Sequence, residues 1–157
     1  MKITIIAVGK TATPYISKAI EAYLERLSHY IKTEIEIIPD IKASRALTEQ
    51  QQKDREGEAI LSLLRPGDAV VLLDERGKEL TSREFSESIE RRMTAGLKRL
   101  VYVIGGPYGF SQAIYDAVPQ QLSLSRMTFT HEMIRLFFVE QIYRAMTILR
   151  GEPYHHD

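Results

Sequence analysis

Short apolar runs alternate with longer stretches of helical period along the whole chain. Ile3–Val8 is a near-continuous apolar run, the mark of a strand buried on both faces. Gly9 interrupts it. From Pro14 to Tyr30, Ile16, Ala19, Ile20, Tyr23, Leu24 and Leu27 recur at helical spacing. Glu34–Ile38 predicts a second strand, stopped by Pro39. Thr48 with Gln51 forms a capping box for a helix reaching Leu64, and Pro66-Gly67-Asp68 is a turn. Ala69–Leu73 predicts a third strand, ending at Asp74-Glu75-Arg76-Gly77. Thr81 with Glu84 opens a helix through Thr94. Leu100–Ile104 is a fourth strand that runs into Gly105-Gly106-Pro107-Tyr108-Gly109. Ser111 is expected to cap a short helix, and Leu122–Leu124 to be a brief fifth strand. Thr130 is expected to cap a final helix, His131–Leu149, which Gly151 ends.

Strands alternating with helices predict an α/β fold, a mostly parallel sheet with helices on both faces. No repeat or linker divides residues 1–157, so a single domain is expected. Ligands of such sheets bind beyond the carboxyl ends of the strands. Three loops qualify: the one after Leu73, the glycine loop after Ile104, and the segment after Leu124.

Composition narrows the chemistry. The chain has no cysteine, which removes disulfides, thiolate zinc sites and a cysteine nucleophile. With 21 basic and 21 acidic residues the formal net charge is zero, so affinity for a polyanion must come from a local patch or from assembly. The opening MKITIIAVGKTATP reads as a first strand rather than a signal peptide, and no apolar stretch approaches a membrane span. A cytoplasmic protein is the expectation.

The glycine loop allows close backbone approach to a ligand, yet its spacing is not that of a dinucleotide fingerprint and Pro107 removes a donor; an ordinary strand-to-helix turn is the competing reading. In LSLSRMTF, residues 122–129, small hydroxyl residues interleave with Leu, Met and Phe. Backbone there can read the edge of a flat heterocycle while apolar side chains cover its faces; a buried edge strand followed by a helix cap would look the same. The final helix carries an apolar stripe punctuated by Arg135, Arg144 and Arg150, either solvated charges or a phosphate path. His131-Glu132 lacks the second histidine of a zinc HExxH, and the adjacent His155 and His156 diverge, so no metal is expected.

Together, VIGGPYG, LSLSRMTFTHEMIRLFFVEQIYRA and the terminal PYH resemble the RlmH family, a minimal branch of the SPOUT methyltransferases. The resemblance runs from KITIIAVGK to the tail, and the order and spacing of the motifs make it specific. It implies a C-terminal deep trefoil knot, a homodimer, and S-adenosylmethionine as cofactor, bound bent within the knot. The implied substrate is a pseudouridine in helix 69 of 23S ribosomal RNA, methylated at N3 in the assembled ribosome. Carried over by position, the cofactor pocket takes Leu73, Gly105, Leu124, Ser125, Arg126, Met127, Thr128 and Phe129. Tyr154 and His155 fall near the target base, with His155 or a water it orients as proton acceptor. Arg135 and Arg144 become phosphate or cofactor-carboxylate contacts. His156 stands where some relatives carry a basic residue. Dimerisation is expected to bring the tail of one subunit to the pocket of the other. Two competing classes are a non-catalytic ribosome-binding factor with a vestigial pocket, and a nucleotide-binding enzyme; the missing Walker lysine and ribose acid count against the second.

Overall fold

The computed structural model describes residues 1–41 and 47–156; Asp157, the last residue of the tail, lies outside them. In chain order the elements are β1 Lys2–Val8, α1 Pro14–Leu27, β2 Thr33–Ile38, α2 Glu49–Leu63, β3 Ala69–Glu79, α3 Ser82–Thr94, β4 Arg99–Ile104, α4 Gln112–Ala117, β5 Gln121–Ser123 and α5 His131–Leu149. The strands form one sheet in the order β2-β1-β4-β3-β5, and every pairing is parallel.

Alternation along the strands sorts the core into two layers. Ile3, Ile5 and Ala7 of β1 with Leu100, Tyr102 and Ile104 of β4 point to one face, against α1, α3 and α5. Ile6 and Val8 with Val101, Val103 and Leu72 point to the other, against Ile60 of α2 and Ile114 of α4. Covering both faces is what lets the central strands read as unbroken apolar runs. The capping boxes of Thr48 and Thr81 form as expected, and Thr130 accepts from the Met133 amide.

Three local expectations are corrected. Helix α1 stops at Leu27, not Tyr30, because the Ser28 hydroxyl bonds back to the Glu25 carbonyl and both Tyr30 and Ile31 amides turn in to Leu27. Ser111 occupies the N-cap position of α4 but makes no cap bond; its buried Oγ faces Gly57 of α2, where an added Cβ would come within 2.6 Å of it. Strand β3 does not end at Leu73. Leu122 pairs with Leu73 and again with Lys78, so residues 74–77 loop out of the ladder and the chain returns to β5. At the crossing the Cα of Gly77 lies against the Leu122 backbone, and a Cβ there would sit 2.7 Å from it.

The first turn of α5 fastens the loop after β1. The Glu132 carboxylate accepts from the Ala12 and Thr13 amides and the Thr13 hydroxyl, contacts that hold it below the usual carboxylate range. One turn on, Arg135 is 1% exposed and donates to the carbonyls of Val8 (2.6 Å) and Gly9 (2.7 Å).

Candidate active site

The tips of β3, β4 and β5 and the start of α5 enclose a cavity of about 510 Å³. All three loops selected by the parallel-sheet rule line it. Of the eight residues expected to hold a cofactor, Leu73, Gly105, Leu124, Ser125, Met127, Thr128 and Phe129 are on the wall. Arg126 is exposed and does not line it.

The glycine loop is a closed turn. The Gly109 amide donates to the Gly106 carbonyl at 3.1 Å, with Gly109 at φ +80°. A Cβ on Gly105 would meet the Phe110 ring at 3.3 Å, and one on Gly106 would come within 2.5 Å of Glu56 Oε1. Glu56 itself is buried on α2, its Oε1 unpartnered, and burial raises its carboxyl above the ordinary range. The loop therefore rests on a carboxylate no sequence motif announced.

The opposite wall is the segment after β5. The Ser123 hydroxyl donates to the Ser125 carbonyl and the Met127 amide to the Ser125 hydroxyl, so the small side chains fix a turn without outside help. Met127 stands 78% exposed, and Phe129 packs on Phe137 with ring centroids 5.2 Å apart.

A third wall is polar. Asp74, at the end of the apolar part of β3, accepts from the Tyr115 hydroxyl of α4 and from the Arg76 amide. Burial and this bond together raise the Tyr115 phenol above its ordinary range. Asp74 and Arg76 fall in a loop the sequence selected, but Tyr115 and Lys53, also on the wall, sit in helices without any motif; only long-range packing brings them here.

The tail lies elsewhere. Tyr154 donates to Glu140 Oε1 at 3.0 Å, stands 3.4 Å from the Tyr23 hydroxyl, and packs edge-on against Tyr143. Arg144 donates to the same Glu140 oxygen at 2.6 Å, covers the Tyr154 ring, and meets His155 Nδ1 at 3.1 Å. A guanidinium can only donate, so Nδ1 accepts and the ring's proton sits on Nε2. His155 and His156 line a separate depression of about 300 Å³ with Arg83 and Glu152. None of Arg135, Arg144, Tyr154 and His155 lines the cavity at the strand tips. Arg135 differs from expectation in kind: its two terminal nitrogens are taken by the Val8 and Gly9 carbonyls and the Thr11 hydroxyl, which makes it a buried strut. Among the described residues no three His, Cys, Asp or Glu side chains gather as metal ligands, and no helix is long and apolar enough to cross a membrane.

Residues 1–155 match the family described as "Predicted SPOUT methyltransferase". The "Ribosomal RNA large subunit methyltransferase H" of Parabacteroides distasonis is 59% identical over 157 residues, and that of Porphyromonas gingivalis ATCC 33277 is 57% identical; both matches cover all of each chain. Among solved structures, a probable methylase family protein from Haemophilus influenzae Rd KW20 aligns with a TM-score of 0.51 at 13% identity. That alignment covers 95% of this chain and 66% of that one, a likeness of fold alone. The chain belongs to the SPOUT methyltransferase family.

Proposed function

We propose that this chain transfers a methyl group from S-adenosylmethionine to N3 of a pseudouridine in helix 69 of 23S ribosomal RNA, on the assembled ribosome in the cytoplasm, as a homodimer. The observation that carries the reading is the convergence of Leu73, Gly105 and residues 124–129 on one cavity. Its volume falls in the range of roughly 300–1,000 Å³ usual for small-molecule sites. The wall chemistry fits the cofactor as well. Leu122, Leu124, Met127 and Phe129 offer apolar cover for a flat heterocycle, and Asp74 and Arg76 offer charge for an amino-acid end.

When bound, S-adenosylmethionine supplies an activated methyl group on a sulfonium, so the protein needs no covalent nucleophile. What remains for the chain is alignment, which fixes the attacking nitrogen in line with the methyl and the departing sulfur. The N3–H proton must also leave. His155 is the proposed acceptor, directly or through an oriented water. With Nδ1 engaged by Arg144 and the proton on Nε2, acceptance by the ring, direct or relayed through a water, requires that contact to open. Arg144 beside it is placed to steady negative charge developing on the ring.

Because the tail and the cavity share no lining residue, the proposal needs a second subunit to bring them together. Exposed Phe129 and Phe137 border an apolar groove of about 340 Å³ beside the cavity, a suitable surface for that partner. Assembly would also concentrate arginine and histidine in a chain of zero net charge.

The test is to incubate ribosomes lacking the modification with the protein and labelled donor, then map the methylated nucleotide by mass spectrometry. A methyl on N3 of the helix 69 pseudouridine is the expected result. Saturable ribosome binding without cofactor binding or transfer would instead identify a non-catalytic factor.

A further inference from the structure

The polar wall of the cavity is more ordered than its exposure suggests. The Arg76 side chain is 76% exposed, and a surface arginine ordinarily loses much rotamer freedom to hold one position. Here it is seated. Its Nη2 donates to the Tyr115 hydroxyl at 3.2 Å, its guanidinium lies 5.6 Å from the centroid of that ring, and its Nε is 3.7 Å from Asp74 Oδ1. The Tyr115 hydroxyl in turn donates a hydrogen bond to Asp74, whose side chain is only 8% exposed. A nearly buried carboxylate and a half-buried phenol thus hold one guanidinium at the pocket wall through Nη2 and Nε, and among the described residues its Nη1 makes no hydrogen bond.

We propose that Arg76 binds the carboxylate of the methyl donor's amino-acid end, with Asp74 and Tyr115 as positioning residues that hold its fork in place. The assignment rests on the cofactor reading above and adds the orientation of the ligand within the cavity. The donor has a flat heterocycle at one end and a zwitterion at the other. The wall after β5 is apolar, which leaves the β3 tip as the end that suits charge. Paired N–H groups in one plane match a carboxylate as a single ammonium does not. Lys53, the other lysine or arginine on the wall, has no such seat: among the described residues no hydrogen bond fixes its ammonium. Asp74 and Glu75 beside Arg76 put negative charge where an α-ammonium would follow its carboxylate.

Calorimetry with two probes tests this: S-adenosylmethionine, and methylthioadenosine, which keeps the heterocycle, sugar and sulfur but lacks the amino-acid end. Arg76→Ala is expected to weaken S-adenosylmethionine about tenfold, the scale of a lost hydrogen bond to a charged group, and to leave methylthioadenosine within about twofold. Arg76→Lys should recover only part of the loss. Tyr115→Phe, which removes the seat and keeps the guanidinium, should give an intermediate loss on the same probe alone. Equal losses on both probes would mean general damage to the pocket and overturn the assignment. So would unchanged donor affinity with weaker ribosome binding, which would make Arg76 an RNA phosphate contact, or loss of discrimination on Lys53→Ala instead. Absence of saturable binding of either probe to the native protein would overturn the cofactor reading itself, a result distinct from all of these.

Discussion

The cavity at the strand tips and the C-terminal tail are built on opposite plans. The cavity walls are rich in backbone and keep apolar side chains in the open: Met127 is 78% exposed, Tyr108 45% and Phe129 38%. In the tail the polar groups are already committed to one another. Glu140 accepts from both Tyr154 and Arg144, Arg144 also meets His155, and burial with the Tyr23 and Glu140 contacts pushes the Tyr154 phenol well above its usual range. A receiving surface must leave groups uncommitted, whereas an arm delivered to another site works best if its shape is set beforehand. On the function proposed above, one chain would thus carry two half-sites, one receptive and one set in shape.

The sharpest way to break that division is His155→Ala. Turnover is expected to fall roughly 10²–10⁴-fold, the usual weight of a positioned proton acceptor, with cofactor affinity unchanged in calorimetry. Weakened cofactor binding in this variant would merge the two regions. Gly105→Val should do the reverse, since even a Cβ there meets the Phe110 ring at 3.3 Å. Mixing the two inactive proteins should restore about a quarter of native activity, because half the dimers are mixed and each has one intact site. No recovery after confirmed subunit exchange would place tail and pocket of the same chain together.

Next in size is Arg135→Ala. Removing a buried cation from two carbonyls should cost about 3 kcal/mol, and thermal unfolding followed by circular dichroism should show a drop of roughly 6–12 °C. The folded fraction should bind cofactor normally; a stable variant with lost affinity would return Arg135 to the site. Tyr154→Phe tests the rigidity of the arm more gently. It removes one hydroxyl shared by Glu140 and Tyr23, worth about 1 kcal/mol, or roughly 2–4 °C.

The smallest effect belongs to Glu56 beneath the glycine loop. Its folded pKa lies above the ordinary 4.5 through burial, so the folded state binds the proton more tightly than the unfolded one. Stability from that proton is complete below 4.5 and declines as pH rises through the raised value. Glu56→Gln, which cannot ionise, should therefore raise the melting temperature at neutral pH and lose that advantage near pH 4. A constant offset across the range would show that the carboxyl does not titrate in this way.

Local rules made most of the architecture legible. The helix caps of Thr48, Thr81 and Thr130 and the apolar runs of β1 and β4 carry their own signals, and the rule of strand tips located the three pocket loops. What could not be read was set by long-range packing. Asp74 to Gly77 has turn chemistry, and nothing local announces that Lys78 rejoins Leu122. Ser111 looks like a cap until α2 lies over it. Arg135 and Arg144 lie nine residues, about two and a half turns, apart on α5 and differ in character. Whether each meets a carbonyl at a strand end or a carboxylate on its own helix depends on which neighbour α5 buries it against.

The double pairing of Leu122 also has a consequence for biogenesis. As residues leave the ribosome at roughly 5–20 per second, the apolar edge of β3 waits uncovered until β5 has been synthesised, an interval of seconds. An uncovered strand edge invites pairing with other nascent chains. The short segment Gln121–Ser123 is thus a safety catch as well as a frame for the site, and lesions in it should surface first as aggregate in the cell.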